Sequence, residues 1–330
     1  MDKKSGNEDI PSEFGMIHKD SRGMYIVSDY QRKAEKPAIS IFAHNVPGAW
    51  ELAMTSVWQY GARIGTHYDN TTDTPKSKEA TVTINITNPL NQPRLSRPAT
   101  IGGPIEYESY VQEVVNGIHD NKINPRVNKW SYTYHERLFN YNVSTDLYAE
   151  DRGLLLPKGI DQIELVVDDL ERDITSKGAQ ATTWMPTADP MLESNRPCLQ
   201  RLWFRPYEDG EGGYLLNADS HWRSRDLAKA WIMNVGAIVE LQGKVAEMLE
   251  DRIGKKVRVG SYLDMSNSLH IYGDYFLEYK NMIESLKSDE NFEKRCLKPG
   301  DAHYPGWEQG IKYAKEQLEK DPDYFMKGGK

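Results

Sequence analysis

Hydrophobic positions recur along this chain with two different spacings, and the spacing decides which element each segment predicts. Apolar residues three and four apart indicate an amphipathic helix, whereas strict alternation indicates a strand. The clearest helical pattern lies within residues 160–174 and consists of Ile160, Ile163, Val166, Val167, Leu170 and Ile174. The clearest alternation is Ala-Thr-Val-Thr-Ile-Asn-Ile at residues 80–86. The first segment therefore predicts a helix with one buried face, and the second a half-buried strand.

Elements of both kinds occur throughout the chain. The predicted helices are residues 49–60, 107–118, 160–174 and 226–249, followed by charged surface helices between 274 and 320. The predicted strands are a short one at 24–27, then 80–86, 179–184, 198–204, 214–220 and 256–263. A polar loop is predicted at 66–79 and a turn at 176–178. Strands of antiparallel character beside segregated helices favour an α+β fold, and no strand–helix repeat with a glycine-rich first turn suggests a dinucleotide-binding fold.

Composition and charge narrow the functional classes. The chain has 330 residues, of which 38% are hydrophobic and 27% charged, as in globular proteins. Its net charge of −8 argues against nucleic acid as a partner, because such binding needs basic patches. The first residues are charged and no apolar stretch approaches the roughly 18 residues of a membrane span, so neither a signal peptide nor a membrane segment is expected. Two widely separated cysteines favour a reduced, cytoplasmic setting over a disulfide framework.

One ordered set of residues carries chemistry. A cysteine, Cys198, follows a proline at a predicted strand start; later come the turn Arg223-Ser224-Arg225-Asp226, then Asn234, and finally the segment His270-Ile271-Tyr272. This set resembles the thymidylate synthase superfamily, which includes thymidylate synthase and the pyrimidine-nucleotide hydroxymethylases. The stretches 160–163, 176–178 and 183–184 extend the likeness, which covers about residues 49–272.

The resemblance implies a fold and an assembly. The expected fold is thymidylate synthase-like: a mixed or antiparallel sheet with flanking helices, whose sheets pack against each other in a homodimer. The catalytic domain is expected at residues 38–275, with an N-terminal extension at 1–37 and a helical extension at 276–330 packed on it. The active sites are expected to be shared across the dimer. No metal is expected.

The resemblance also implies a covalent reaction on a pyrimidine nucleoside monophosphate. The thiolate of Cys198 would add to C6 of the ring, with Arg223 lowering the pKa of the thiol. Arg223 and Ser224 would hold the 5′-phosphate. His270 and Tyr272, which alternation places on one face of an extended segment, would bind the sugar hydroxyls.

Other positions match the superfamily less directly. Asn234 would read the base edge, where an amide can serve uracil or, after a flip, cytosine. Asp226 matches an acid near the base and the folate. Lys177 stands where an arginine pair of the partner subunit usually completes the phosphate site. Lys76 is the nearest match to a further phosphate ligand, with Lys78 as the alternative.

Proton transfer and the ordering of water would fall to a glutamate. Glu113 is the preferred candidate because the turn and glycine that follow it fit the superfamily better; Glu51 on the preceding helix competes with it. Tyr134 matches a tyrosine of the catalytic network, and Tyr132 remains the alternative.

Departures from thymidylate synthase itself bear on the product. The residue after the nucleophile is Leu199 instead of the usual histidine, Trp130 is the only tryptophan in the interval where a shielding pair is expected, and the chain ends in Lys-Gly-Gly-Lys. With less protection from water, an exocyclic methylene would become hydroxymethyl. The expectation is thus a hydroxymethylase that uses 5,10-methylenetetrahydrofolate or a methanopterin analogue. Thymidylate synthase is the alternative and a non-catalytic nucleotide-binding homologue the minor one. The base and the sugar stay open.

Overall fold

The computed structural model describes residues 8–12, 15–28, 36–66, 74–123, 130–141, 159–192, 194–298 and 304–320. The chain divides into two compact units, each assembled from three separate segments. Unit 1 comprises Met1–Gly103, Trp222–Val235 and Ser261–Gln309. Unit 2 comprises Pro104–His221, Gly236–Gly260 and Gly310–Lys330.

The described residues form strands and helices in mixed order. The strands are β1 (Glu8–Ser12), β2 (Gly15–Asp20), β3 (Gly23–Val27), β4 (Ala38–Ala43), β5 (Ala62–Ile64), β6 (Ser77–Ile86), β7 (Leu95–Ser96), β8 (Gln180–Thr182), β9 (Leu199–Glu208), β10 (Tyr214–Trp222), β11 (Arg225–Asp226), β12 (Val257–Ile271) and β13 (Cys296–Leu297). The α-helices are α1 (Val46–Tyr60), α2 (Gly103–Asn116), α3 (Tyr134–Phe139), α4 (Gln162–Arg172), α5 (Ala230–Ile253), α6 (Phe276–Leu286), α7 (Phe292–Arg295) and α8 (Tyr304–Lys320). This content confirms the predicted α+β class, with a mixed sheet and flanking helices.

Unit 1 is built on strands in the order β1-β2-β3-β4-β6-β12. Strands β4 and β6 run parallel, and the connection between them contains the helix α1. The sequence prediction missed β4, although its burial alternates, with Ile39, Ile41 and Ala43 inside. The result is one parallel crossover within a largely antiparallel sheet, and such crossovers normally carry a helix.

Helix α1 is buried along most of its length. All residues from Val46 to Val57 are buried, so the helix lies inside unit 1. Its start is fixed by Asn45, whose side chain accepts a hydrogen bond from the backbone nitrogen of Gly48 at 2.9 Å. Asparagine is a favoured residue at this position because its oxygen pairs with an otherwise unused backbone donor.

The buried acid of α1 is neutralised by two arginines. Arg22 Nη1 donates to Glu51 Oε2 at 2.9 Å, and Arg295 donates to both oxygens of Glu51 at 2.7 Å. Glu51 is fully buried and Arg22 is 2% exposed. Arg22 also donates to the backbone oxygen of Leu286 at 2.6 Å. The ion pairs therefore link the β2–β3 turn, α1 and the segment after α6.

Unit 2 contains strands in the order β8-β9-β10-β12, the last through its residues up to Gly260. Helix α4 confirms the predicted amphipathic pattern at Ile163, Val166, Val167 and Leu170, which are its buried residues. Ile160 and Ile174, predicted to belong to the same face, lie outside the helix and are not buried. Gln162 ties this helix to β8 because its side chain donates to Thr182 O at 2.7 Å and accepts from Thr182 N at 3.0 Å.

Several boundaries differ from those predicted. The helix expected from residue 226 begins at Ala230, because Arg225 and Asp226 form β11 and pair with β12. Strand β12 runs to Ile271, beyond the predicted end at 263, and thereby includes His270. The loop predicted to residue 79 gives way to β6 at Ser77; its residues 67–73 lie outside the described residues. The short strand at 24–27 is confirmed and belongs to a meander of β1, β2 and β3.

The domain boundaries at residues 37 and 275 and the dimer remain predictions. Every helix in the described part of the chain is too short or too polar to cross a membrane.

The buried arginine–glutamate cluster predicts a large effect on stability. Glu51→Gln should lower the free energy of unfolding by about 3–5 kcal/mol, because it leaves buried arginine charge uncompensated. Urea denaturation followed by circular dichroism measures this change. Glu106→Gln, at an exposed position of α2, is the matched control and should change stability by less than about 0.5 kcal/mol. Equal stability of Glu51→Gln and wild type would show that the cluster contributes nothing.

Candidate active site

The predicted nucleophile lies at the entrance of a strand in unit 2. Cys198 is half-buried and directly precedes β9. The hydroxyl oxygen of Tyr134 accepts hydrogen bonds from the backbone nitrogens of Cys198 and Leu199, both at 3.2 Å. Before the cysteine, Asn195 adopts a left-handed backbone conformation with φ of 54°, which asparagine tolerates in turns. The thiol therefore follows a fixed turn and is anchored through its own backbone.

Two tyrosines, Tyr132 and Tyr134, interact with Cys198. Both were candidates for the tyrosine of the catalytic network. Tyr134 begins α3, where the side chain of Thr133 accepts from the backbone nitrogen of Glu136 at 2.9 Å. Burial, with a contribution from Cys198, raises the pKa of Tyr134 to about 12. Burial together with the neighbouring Tyr134 and Cys198 also raises the pKa of Tyr132. Both phenols therefore keep their protons at neutral pH.

The preferred glutamate has a partner that the sequence analysis missed. Glu113 Oε2 and His119 Nδ1 lie 2.9 Å apart, and the imidazole packs edge-on against Trp130 at 5.3 Å between ring centroids. His119 is 3% exposed, and among the described residues its Nε2 finds no hydrogen-bond partner. Buried nitrogens are usually paired, so this atom points to a ligand or an ordered water.

A turn at Gly117 brings the side chains of Glu113 and His119 together. Helix α2 ends before Gly117, whose φ of +67° reverses the chain so that His119 returns to Glu113. Left-handed glycines commonly end helices in this way. The only signal in the sequence was a histidine shortly after the glycine.

The competing carboxylate, Glu51, is engaged elsewhere. Its oxygens are occupied by Arg22 and Arg295 in the core of unit 1, as described above. Glu113 is the more accessible of the two, with 15% of its side chain exposed. The structure thus places Glu51 in a stabilising cluster.

Unit 2 also holds a carboxyl that titrates near neutrality. Burial raises the pKa of Glu136 to about 7, although Arg137 opposes the shift. Arg137 itself is buried and donates to both oxygens of Asp189. Glu136 lies two residues after Tyr134, and the sequence analysis did not select it.

Unit 1 contains a cavity of about 290 Å³ that brings together three residues predicted to bind nucleotide, namely Ser224, His270 and Tyr272. The remaining lining residues are Ile64, Gly65, Thr66, Glu79 and Ser268. Arg223 precedes Ser224 and is half-buried, but it does not line this cavity.

Three ionisable residues lie side by side across this part of the sheet. Asp226 on β11 is opposite His270 on β12, which is opposite Glu79 on β6. Burial raises the pKa of Asp226, although His270 opposes the shift. Burial lowers the pKa of His270 against the opposing effect of Asp226. Directly opposed residues project from the same face of a sheet, so the three groups form one row.

The hydrogen bonds of His270 indicate which of its nitrogens is an acceptor. Nδ1 lies 3.2 Å from the backbone oxygen of Ser268, which can only accept, so Nδ1 carries the proton of the neutral ring. Nε2 is then an acceptor; it is buried, and no described residue donates to it. A neutral histidine at the cavity wall can thus accept a hydrogen bond from a hydroxyl group.

The second arginine of the Arg223–Asp226 turn has a structural position. Arg225 is 3% exposed and forms an ion pair with Asp264, and it also donates to Ser266 Oγ at 2.9 Å. Its guanidinium lies over the ring of Trp222 at 4.2 Å. These contacts hold the turn that carries Arg223 and Ser224.

The lysines predicted to bind phosphate and the amide of Asn234 occupy different environments. Lys78 donates to Trp58 O, and burial lowers its pKa, so it is engaged within unit 1. Lys76, just before β6, and Lys177, in the turn before β8, are both exposed. Asn234 is 6% exposed near the start of α5.

The second cysteine, Cys296, is buried and is not expected to be reactive. Burial raises the pKa of Cys296 to about 12, and neither cysteine is in a disulfide. Within the described ranges, no group of three or more His, Cys, Asp or Glu side chains could hold a metal ion. The expectation of a metal-free site remains a prediction.

Comparison with known proteins decides the family. A protein named "Putative thymidylate synthase" from Methanothermobacter marburgensis is 30% identical over 171 residues, which cover 71% of that relative and 49% of this chain. The chain belongs to the thymidylate synthase-like superfamily. No family model matches it.

One further relative extends the superfamily match over more of the chain, and another matches a similar share. A protein of the same name from Methanosarcina acetivorans is 23% identical over 248 residues, covering 95% of that relative and 74% of this chain. Another, from Methanocaldococcus jannaschii, is 30% identical over 166 residues, covering 64% of that relative and 48% of this chain. The resemblance inferred from the Cys198 and Arg223–Asp226 motifs is confirmed.

Proposed function

We propose that this protein is a one-carbon transferase that hydroxymethylates C5 of a pyrimidine nucleoside 5′-monophosphate through a covalent bond between Cys198 and C6. Membership of the thymidylate synthase-like superfamily supports the one-carbon chemistry. The observation that carries the assignment is the anchored thiol, because Tyr134 fixes the backbone on both sides of the Cys198 carbonyl. A positioned thiolate beside protonated phenols suits addition to an electron-poor ring.

The first step activates the ring. The sulfur of Cys198 bonds to C6, and the electron pair of the C5–C6 double bond moves towards C5 and the ring carbonyl. Asn234, through its amide, would hydrogen-bond the base edge where this charge develops. Arg223 would favour the thiolate form of the cysteine.

Other residues would hold the nucleotide. Ser224 and Arg223 would bind the 5′-phosphate, with Lys76 as a further cation. Nε2 of His270 would accept from a sugar hydroxyl, and Tyr272 lies beside it at 4.5 Å between ring centroids. Lys177 would complete the phosphate site of a partner subunit.

A reduced folate or a methanopterin analogue would supply the one-carbon unit. The described residues fit a flat pterin ring, since Trp130 offers a half-buried aromatic ring that packs against His119, the partner of Glu113. Asp226, whose Oδ1 accepts from the backbone nitrogen of Ala228 at 2.8 Å, would lie near the base and the carrier, as the superfamily resemblance implies. C5 would bond to the carbon unit, and Glu113 would then take the C5 proton and pass it to the departing amine of the carrier. This leaves an exocyclic methylene on the ring and an ionised Glu113.

Water is proposed to complete the reaction. Glu113 and His119 would orient a water molecule, because the open Nε2 of His119 needs a partner of this kind. Water adds to the methylene, its proton is taken up by Glu113, and expulsion of the Cys198 thiolate restores the ring. Leu199, which is fully buried, provides no polar group beside the nucleophile to compete for this water.

Thymidylate synthase activity is the second candidate. The methanogen relatives are named as thymidylate synthases, which favours this candidate. In that reaction a hydride from the reduced carrier reaches the methylene instead of water, and the product is a methyl group.

The covalent mechanism predicts the behaviour of Cys198→Ser. Turnover should be lost, while nucleotide affinity should stay within about tenfold, because binding depends on other side chains. Steady-state assays and calorimetry measure the two effects, and Cys296→Ser is the matched control with unchanged turnover. Wild-type turnover in Cys198→Ser would rule out covalent catalysis by this residue.

A shared site predicts complementation between subunits. Cys198→Ser and Lys177→Ala proteins should each be weak or inactive, whereas their mixture should regain activity, because one site of each heterodimer has both residues. Activity after refolding of the mixture measures this recovery. If heterodimers form without any recovery, Lys177 does not act across the dimer.

The product distinguishes the two candidate reactions. With methylenetetrahydrofolate, the enzyme should convert a pyrimidine nucleotide to its 5-hydroxymethyl form, with oxygen from labelled water, and should release tetrahydrofolate. Mass spectrometry identifies the product among incubations with dUMP, UMP, dCMP and CMP. The absorbance rise of dihydrofolate should be absent. Stoichiometric dihydrofolate with a 5-methyl product would instead assign thymidylate synthase activity.

A further inference from the structure

A carboxylate that the sequence analysis did not select lies in the wall of the unit 1 cavity. Glu79 is on β6, directly opposite His270 on β12. Its Oε2 accepts a hydrogen bond from Ser268 Oγ at 2.5 Å. Ser268 also lies 3.2 Å from the His270 ring through its backbone oxygen. Glu79 is therefore fixed beside the imidazole that faces the cavity.

The carboxylate retains capacity for a further donor. An ionised carboxylate only accepts hydrogen bonds, and it can accept several. Ser268 occupies one oxygen of Glu79, and no described residue donates to the other, Oε1. Nε2 of His270, in the same wall, is likewise an acceptor without a donor. Two neighbouring residues that line the cavity thus each hold an acceptor atom without a donor among the described residues.

Two neighbouring acceptors match two neighbouring hydroxyl groups. A ribose carries vicinal hydroxyls at C2′ and C3′, whereas a deoxyribose carries only the one at C3′. Carboxylates are the side chains that dinucleotide-binding proteins use for a ribose 2′-hydroxyl, for the same reason of acceptor chemistry. A deoxyribose would leave a negatively charged oxygen facing a methylene, and an unpaired charged acceptor is costly.

We propose that Glu79 accepts a hydrogen bond from the ribose 2′-hydroxyl, so that this protein selects pyrimidine ribonucleotides over deoxyribonucleotides. The assignment rests on the proposed function, because it requires the sugar to lie in this cavity with its 3′-hydroxyl on His270. Ser268 acts as a positioning residue that orients the carboxylate. The substrate class is then a pyrimidine ribonucleoside 5′-monophosphate such as UMP or CMP.

Calorimetry on the full-length protein without folate tests the sugar preference. Wild type should bind UMP or CMP more tightly than dUMP or dCMP by about 10- to 100-fold, the usual effect of a hydrogen bond to a charged group. Glu79→Ala should bring the two dissociation constants close together, mainly by weakening the ribonucleotide. Glu79→Gln, which keeps an acceptor and nearly the same shape, should retain part of the preference.

Matched variants separate this effect from general electrostatics and from folding. Glu106→Ala, at an exposed position in α2, changes the net charge by the same amount and should leave the preference intact. Thermal melting should show Glu79→Gln to be folded, so the result does not depend on Glu79→Ala alone. A general charge effect would change ribonucleotide and deoxyribonucleotide affinities equally in all three variants.

Each outcome bears on a different claim. Equal affinity of wild type for both sugars, or a deoxyribonucleotide preference, would overturn the ribose assignment. An unchanged preference in folded Glu79→Ala and Glu79→Gln would show that another residue selects the sugar. If none of the four nucleotides binds to wild type and no product forms with methylenetetrahydrofolate, the proposed function itself is wrong.

Discussion

The pairing of β12 with a strand on each side is the constraint on which the unit 1 cavity depends. Strand β6 pairs with one edge of β12 and the two-residue β11 with the other. This register puts Asp226, His270 and Glu79 in one row. A shift of one residue would turn His270 to the opposite face of the sheet. The ion pair of Arg225 with Asp264 helps to hold this register, because it joins β11 to β12.

Burial then shifts the pKa of each group towards its neutral form. It favours neutral forms of His270 and Asp226, and it keeps Tyr132 and Tyr134 protonated. The two carboxylates that competed in the sequence differ for the same physical reason. A fully buried Glu51 needs two arginines, whereas Glu113 is partly exposed and pairs with a histidine. The environment therefore separates a stabilising acid from one suited to proton transfer.

The sequence was sufficient for the secondary structure that depends on local order. The amphipathic pattern of α4 and the strand after Cys198 were predicted because hydrophobic spacing is a local property. The turn motif and the His270–Tyr272 segment indicate the superfamily from the sequence alone. Strand β11, by contrast, consists of two residues whose pairing with β12 depends on a partner more than forty positions away. Glu79 and His119 were missed because only tertiary hydrogen bonds, to Ser268 and to Glu113, distinguish them from surface residues.

Gly117 shows how a residue without a functional group can limit the variation of a site. A β-carbon at this position would lie 2.3 Å from His135 Nδ1 and 2.8 Å from Asp120 Oδ2, and the backbone there is left-handed. Those two side chains are themselves joined at 2.7 Å. Any other amino acid would have to displace this pair and the loop that returns His119 to Glu113. The pairing of His119 with Glu113 therefore depends on Gly117, although the glycine contributes no side chain to it.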